Sequence, residues 1–212
     1  GLLRGVSFIS MSISKRQVRT AAWDGQIKQC VSPALQNDLL ERMKECGWFD
    51  DVEKNQALCF GALPFWLNST LEGLPPDLIP PAMKQRQPLF DHMLVNIYQP
   101  GEGLCQHVDL LRFEDGILSV SLDSACVMTF VHVDSADKVE VLLEPGDVLF
   151  MHSEARYEWS HGIPARLADV WQGREVPRGR RVSITLRRMC ASGWNLEDNE
   201  TINAPIRPGP PS

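Results

Sequence analysis

The chain contains no apolar run approaching the roughly 20 residues that a membrane-spanning helix requires. It has six cysteines, at positions 30, 46, 59, 105, 126 and 190, but no C-x-x-C pair and no regular spacing among them. That excludes a zinc-knuckle site and a disulfide framework, and favours reduced thiols in an intracellular protein, cytoplasmic or nuclear. Basic charge is also short, with 21 Lys and Arg against 27 Asp and Glu and a net charge of −6. A general nucleic-acid binder, which gains affinity by neutralising phosphates, is therefore not the expectation. The opening GLLRGVSFIS has little basic charge and no cleavage signature, so no signal peptide is expected. No internal repeat is present.

What remains is the composition of an ordinary globular protein: 212 residues, 43% hydrophobic and 23% charged, enough for one domain with a buried core. Residues 1–25 lack periodicity and read as an N-terminal arm without order. A helix is expected to start at Ser32, a fitting N-cap followed by Pro33, and to stop at Gly47. Its apolar stripe is Leu35, Leu39, Leu40 and Met43. Residues 48–73 read as loops and short strands, where Phe60, Phe65 and Trp66 are assigned to the core ahead of a substrate lid. Two Pro-Pro pairs between Leu74 and Gln87 allow only a short helix, starting near Pro81.

From residue 91 the period shortens to that of strands. The candidates are 92–98, 104–108, 116–122, 125–133, 139–143, 148–152, 157–161 and 182–188, separated by Gly- and Pro-bearing turns. Many short strands of this kind point to a jelly roll, mainly β with flanking α. Residues 165–179 read as a long loop, and 191–212 as a C-terminal tail, disordered over 203–212. The domain is expected to span 26–190, with its core at about 91–190.

Within that core, His107 and Asp109 are two apart, so a strand presents both from one face. A second imidazole from a later strand, His161, completes a two-histidine, one-carboxylate facial triad, which suits Fe(II) and leaves coordination positions open. His152, nine residues earlier, is the one rival for the third place. His92 and His132 read as structural. Arg181 and Arg187 are six apart and share a strand face if Val182, Ile184 and Leu186 form the other. A planar guanidinium clamps a carboxylate bidentately, so a dicarboxylate chelating iron and held by arginine, 2-oxoglutarate, fits the pair. From Arg174 to Arg188, six arginines meet one acid, the only electrostatic hint of a polyanionic partner.

The motifs Asn96-Ile-Tyr98 before Pro-Gly, His107-Val-Asp109, His161-Gly162 and Arg181-x5-Arg187 closely resemble the AlkB family of Fe(II)/2-oxoglutarate oxygenases over residues 60–188. The resemblance implies a double-stranded β-helix with an N-terminal helix and a substrate lid. It makes His107, Asp109 and His161 the metal ligands, and Asn96, Tyr98 and Arg181 contacts of 2-oxoglutarate. Arg187 then lies nearer the iron, and Ser183 adds a hydroxyl on the face of Arg181. The implied cofactors are Fe(II), 2-oxoglutarate as co-substrate and O2, with ascorbate in support. The segments 112–124, 156–163 and 178–183 are most similar to the branch that hydroxylates a modified uridine in tRNA. The acidic residue that contacts a methylated base in the bacterial repair enzyme is replaced here by Leu111.

Three readings follow. The first is a dioxygenase that demethylates or hydroxylates a modified base in nucleic acid, single-stranded RNA or tRNA ahead of DNA. The second applies the same chemistry to a protein side chain or a small molecule. The third is a jelly-roll binding module without catalysis.

Overall fold

The computed structural model describes residues 24–51 and 53–191, so the expected arm and tail lie almost wholly outside the described residues. The first elements are β1 (Gln26–Gln29), α1 (Pro33–Glu45), β2 (Gln56–Phe60), α2 (Asn68–Glu72) and α3 (Pro81–Lys84). The strand-rich part then runs β3 (His92–Tyr98), β4 (Leu104–His107), β5 (Ile117–Leu122), β6 (Cys126–His132), β7 (Lys138–Leu143) and β8 (Asp147–Met151). It ends with α4 (Ser153–Tyr157), β9 (Trp159–Ile163), β10 (Ala168–Trp171), β11 (Arg174–Pro177) and β12 (Arg181–Arg187).

The strands form a six-stranded sheet, β1-β8-β5-β12-β3-β2, and a four-stranded sheet, β4-β9-β6-β7. Neighbours in both are antiparallel, as the double-stranded β-helix expects. One hydrophobic cluster fills the space between the sheets, with Leu104 and Ile163 meeting Ile117, Phe130, Leu149 and Trp159. A second lies behind the larger sheet, where Val182, Ile184 and Leu186 pack with Leu39 and Met43 of α1. Each such aliphatic side chain removed from water contributes on the order of 1.5–3 kcal/mol. The period of two in β12 therefore gives its even positions to the core and its odd positions to the space between the sheets.

The helix forms as its caps require. Ser32 Oγ accepts from the Leu35 amide at 3.3 Å, Pro33 opens the first turn, and Gly47 takes φ 65° after the Cys46 cap.

Three expectations need correction. Residues 165–179 are not a loop: β10 and β11 pair as a hairpin, with Gln172 and Gly173 at φ 50° and 77° in its tight turn. Its apolar side joins Val127 and Leu142 of the smaller sheet through Trp171. The strand expected over 157–161 starts later, at Trp159, because 153–157 forms α4. The aromatic trio divides as well: Trp66 is buried, whereas Phe65 is 77% exposed and Phe60 37%.

Candidate metal centre and co-substrate pocket

His107 ends β4 and His161 sits in β9, and the two are direct cross-strand partners. Glycine makes that pairing possible. A Cβ at Gly162 would lie 2.9 Å from the Leu104 carbonyl oxygen, and one at Gly103 only 2.2 Å from that of Ile163. The imidazole rings come to 4.4 Å between centroids. Asp109 follows two residues beyond His107 and is 4% exposed. One ligand atom from each of His107, Asp109 and His161 falls within 4.8 Å of the others, a group able to hold a metal ion.

Hydrogen bonding prepares these atoms. His107 Nδ1 lies 2.8 Å from the Cys105 carbonyl, which can only accept, so Nδ1 carries a proton and Nε2 is the ring atom available as a ligand. His107 Nε2 is buried without a hydrogen-bond partner, and so is Asp109 Oδ1. Arg187 Nη2 approaches that oxygen to 2.7 Å, an ion pair whose angle falls outside hydrogen-bond geometry. Burial would raise the Asp109 carboxyl, but Arg187, His161 and His107 outweigh it and hold the group well below the usual carboxylate range. Burial also dominates at His161 and pushes it down to about 3, against the opposing pull of Asp109. With His161 neutral, its 3.4 Å approach to Asp109 Oδ2 is not a salt bridge. A neutral imidazole at His161, an ionised carboxylate at Asp109 and a His107 ring held through Nδ1 make a donor set that suits a divalent cation.

Beside this group, the odd positions of β12 line a cleft with Asn96 and Tyr98 of β3. Register places Arg181 opposite Tyr98, and Ser183 opposite Asn96. Arg181 is 3% exposed and lies over the Tyr98 ring at 5.3 Å. Its Nη2 donates to Ser121 Oγ at 2.9 Å, while Nε and Nη1 are buried without partners. Two unsatisfied guanidinium donors in a closed cleft fit the carboxylate of a small acid. Ser183 Oγ meets Ser119 Oγ at 3.3 Å. Asn96 donates to the Tyr98 hydroxyl at 3.4 Å and accepts from Gln56 Nε2 at 3.1 Å.

All eight residues expected at the site, Asn96, Tyr98, His107, Asp109, His161, Arg181, Ser183 and Arg187, thus line one cleft. His152 does not join them; its ring lies against Phe150 and its Nδ1 meets Ser153 Oγ. His92 packs between Phe60 and Phe113, and His132 accepts from the amides of Asp134 and Ser135 in a turn. Sequence reasoning missed Gln56, Ser119 and Ser121. The two serines carried a signal, alternating with apolar residues in Ile117-Leu-Ser-Val-Ser-Leu122.

The arginine-rich stretch is only in part a surface patch, with Arg174 and Arg180 exposed. Arg178, Arg181 and Arg187 are buried, Arg180 pairs with Asp123, and Arg188 bonds the Pro88 carbonyl and lies 3.4 Å from Glu114.

Comparison with known proteins agrees with this geometry. The profile of the 2OG-Fe(II) oxygenase superfamily matches residues 33–187. An uncharacterized protein, L905, of Acanthamoeba polyphaga mimivirus is 28% identical over 77% of this chain and 83% of its own length. Mouse tRNA (carboxymethyluridine(34)-5-O)-methyltransferase ALKBH8 is 29% identical across the whole chain, which covers only 34% of that protein. Thus the chain spans about a third of that relative. The solved structure of OsALKBH1 superposes with a TM-score of 0.53 at 17% identity, covering 80% of this chain and all of that one, a likeness of fold. The chain belongs to the 2OG-Fe(II) oxygenase superfamily, as an AlkB-like dioxygenase.

Proposed function

We propose that the protein oxidatively demethylates or hydroxylates a modified base in nucleic acid, with RNA ahead of DNA. His107, Asp109 and His161 would hold Fe(II), and Arg181, beside Asn96, Tyr98 and Ser183, would hold the distal carboxylate of 2-oxoglutarate. Iron and 2-oxoglutarate, once bound, supply dioxygen activation and the oxidation of the co-substrate to succinate and CO2. The chain's residues do the rest: Arg187 keeps the Asp109 carboxylate ionised, and Arg181 fixes the co-substrate in one pose. A hydroxylated N-methyl group then leaves as formaldehyde.

The observation that carries the nucleic-acid reading is a set of exposed apolar side chains on the cleft-side face of the larger sheet and just after the metal-ligand motif. Leu58 and Phe60 pair with Leu94 and His92, so they share the cleft-side face of the larger sheet, yet they are 41% and 37% exposed. Leu111, two residues after Asp109, is 77% exposed. Flat nucleobases stack on such side chains once taken out of a duplex or presented in a single strand. The tRNA named for the ALKBH8 relative supports RNA as the polymer.

A second reading rests on the internal commitment of the arginines. With Arg178, Arg181 and Arg187 turned inward and not available to grip phosphates, a protein side chain or a small molecule becomes the alternative substrate. Succinate formation with Fe(II), 2-oxoglutarate and ascorbate, with and without N-methylated single-stranded RNA, the matching DNA and intact tRNA, decides between them. Stimulation by RNA or tRNA supports the first reading. A basal rate that no nucleic acid raises overturns it in favour of the second.

A further inference from the structure

Arg156 is among the largest fully buried side chains, 2% exposed, although it sits in the short helix α4 and outside the cleft. A buried guanidinium is costly unless its donors are satisfied, and most find a carboxylate. This one bonds backbone through its two terminal nitrogens, while its Nε is buried without a partner. Nη1 donates to the Asp109 carbonyl at 3.0 Å, and Nη2 to those of Leu110 at 2.8 Å and Phe113 at 3.3 Å. All three acceptors belong to the five residues that begin with Asp109. The fixed fork of a guanidinium suits such a convergence, whereas a single ammonium cannot reach three separated carbonyls with the same geometry.

The surroundings make the connection specific. The same segment closes on itself where the Phe113 amide donates to Leu110 at 3.2 Å, and it is tied at its far end by Glu114 to the Arg188 carbonyl at 2.8 Å. Asp115 reaches back to α4, accepting from the Ser153 amide at 2.9 Å. The chain leaves α4 directly into β9, which carries His161. Arg187, which lies 2.7 Å from the Asp109 carboxylate, also stands over the Phe113 ring at 4.8 Å. One arginine thus holds the carboxylate of Asp109 from the cleft side, and Arg156 holds its backbone from behind.

We propose that Arg156 is a positioning residue: by gathering the carbonyls of Asp109, Leu110 and Phe113 it fixes the Asp109 carboxylate beside His107 and His161 before any metal arrives. Its role is distinct from packing, because it acts on the one ligand that no strand carries. Both imidazoles stand on paired strands, whereas Asp109 lies beyond the end of β4 and needs another anchor.

The proposal rests on the reading of these three residues as metal ligands, and Co(II) serves as the probe that separates the two. Wild-type protein that binds no Co(II) would overturn the ligand reading itself. Given binding, Arg156→Lys and Arg156→Met are titrated with Co(II), recording the dissociation constant, the ligand-field absorption and the melting temperature of the metal-free form. Binding weaker by roughly 10–100-fold with an altered spectrum is expected, as for other residues that orient ligands, with Lys closer to wild type than Met. Leu39→Ala, in the cluster on the far side of the larger sheet, is the control: a lower melting temperature with wild-type Co(II) affinity. Arg156 variants that behave like this control overturn the proposal. A measurement on the wild type covers the case in which neither variant folds. In the metal-free protein the amides of Phe113 and Glu114 should resist hydrogen exchange like strand amides. Exchange at the rate of an open loop would show that the segment is not held in advance, and the proposal fails.

Discussion

Asp109 and Asp169 are both buried, and each meets a buried arginine at 2.7 Å, but their remaining lone pairs are treated differently. Asp169 accepts from Arg178 Nε and Nη2, from Arg166 Nε and from the Val127 amide, all between 2.7 and 2.8 Å. Arg178 in turn donates to the carbonyls of Pro164 and Glu102. That network is complete on both sides, and it clamps the β10–β11 hairpin to the smaller sheet. Asp109 has one arginine off the hydrogen-bond line and a neutral imidazole at 3.4 Å. A carboxylate has about four acceptor sites, and a buried one left partly unfilled is suited to bind a cation. Burial alone does not separate a structural aspartate from a functional one; saturation does.

Asp109→Asn provides the largest test of that contrast. Metal binding should fall by at least about 100-fold, since one ligand charge is lost, and succinate formation should vanish. Calorimetric titration with Co(II) reads the first and a coupled assay the second; retained turnover would dissolve the distinction. Asp169→Asn should do the opposite. Breaking a buried, hydrogen-bonded pair costs about 3–5 kcal/mol in urea unfolding, while the folded fraction should keep its Co(II) affinity. Arg181→Ala comes next. Loss of charge-assisted bonds worth about 1.5–3 kcal/mol should raise the 2-oxoglutarate requirement roughly 10–150-fold with Co(II) binding unchanged.

Acid should expose the same difference. His161 titrates at about 3 when folded against 6.5 ordinarily, so the unfolded chain binds more protons between those values. Stability contributed by the neutral ring is therefore present above pH 6.5 and lost as pH falls toward 3. Asp109 and Asp169, both held below their ordinary value, add losses only below about pH 4. Melting temperatures of the metal-free protein between pH 7.5 and 4 should decline from about pH 6.5 downward, and His161→Gln should flatten the upper part of that decline.

How much of this could be read beforehand depended on whether the information was periodic. The spacing of six in Arg181–Arg187 is a property of strands, and it placed those two side chains on one face without any knowledge of partners. The spacing of two in His107-Val-Asp109 reached the right residues for the wrong reason, because β4 ends at His107 and Asp109 lies beyond it. The helix from Pro33 was legible because Ser32 is a chemical start signal and Gly47 a stop signal. The β10–β11 hairpin was not, because its strands are four residues each and are held by the Asp169–Arg178 clamp, a contact nine residues apart that no local pattern announces. Arg156 was hidden for a related reason: its partners are carbonyl oxygens more than 40 residues away, and backbone atoms leave no trace in a sequence. The exposed Phe65 shows the converse error, since a large aromatic suggests burial whether or not the fold supplies a cover.

Arg180 supplies the smallest effect and the cleanest control on charge itself. It lies two residues after Arg178 and next to Arg181, yet its side chain is 48% exposed and pairs with a partly exposed Asp123. Sequence gives these three arginines the same weight; solvent does not. An exposed pair gains little Coulomb energy in water and loses side-chain entropy, so Arg180→Ala should change urea stability by no more than about 1 kcal/mol and leave Co(II) and 2-oxoglutarate binding alone. Its contribution should also shrink as salt is raised from 0.05 to about 0.5 M, whereas that of the Asp169–Arg178 pair should not, because buried charges are poorly screened. If the Arg180 variant instead loses several kcal/mol, the ion pair at the edge of β12 is part of the hairpin clamp, and the division between saturated core pairs and marginal surface pairs has to be redrawn at that residue.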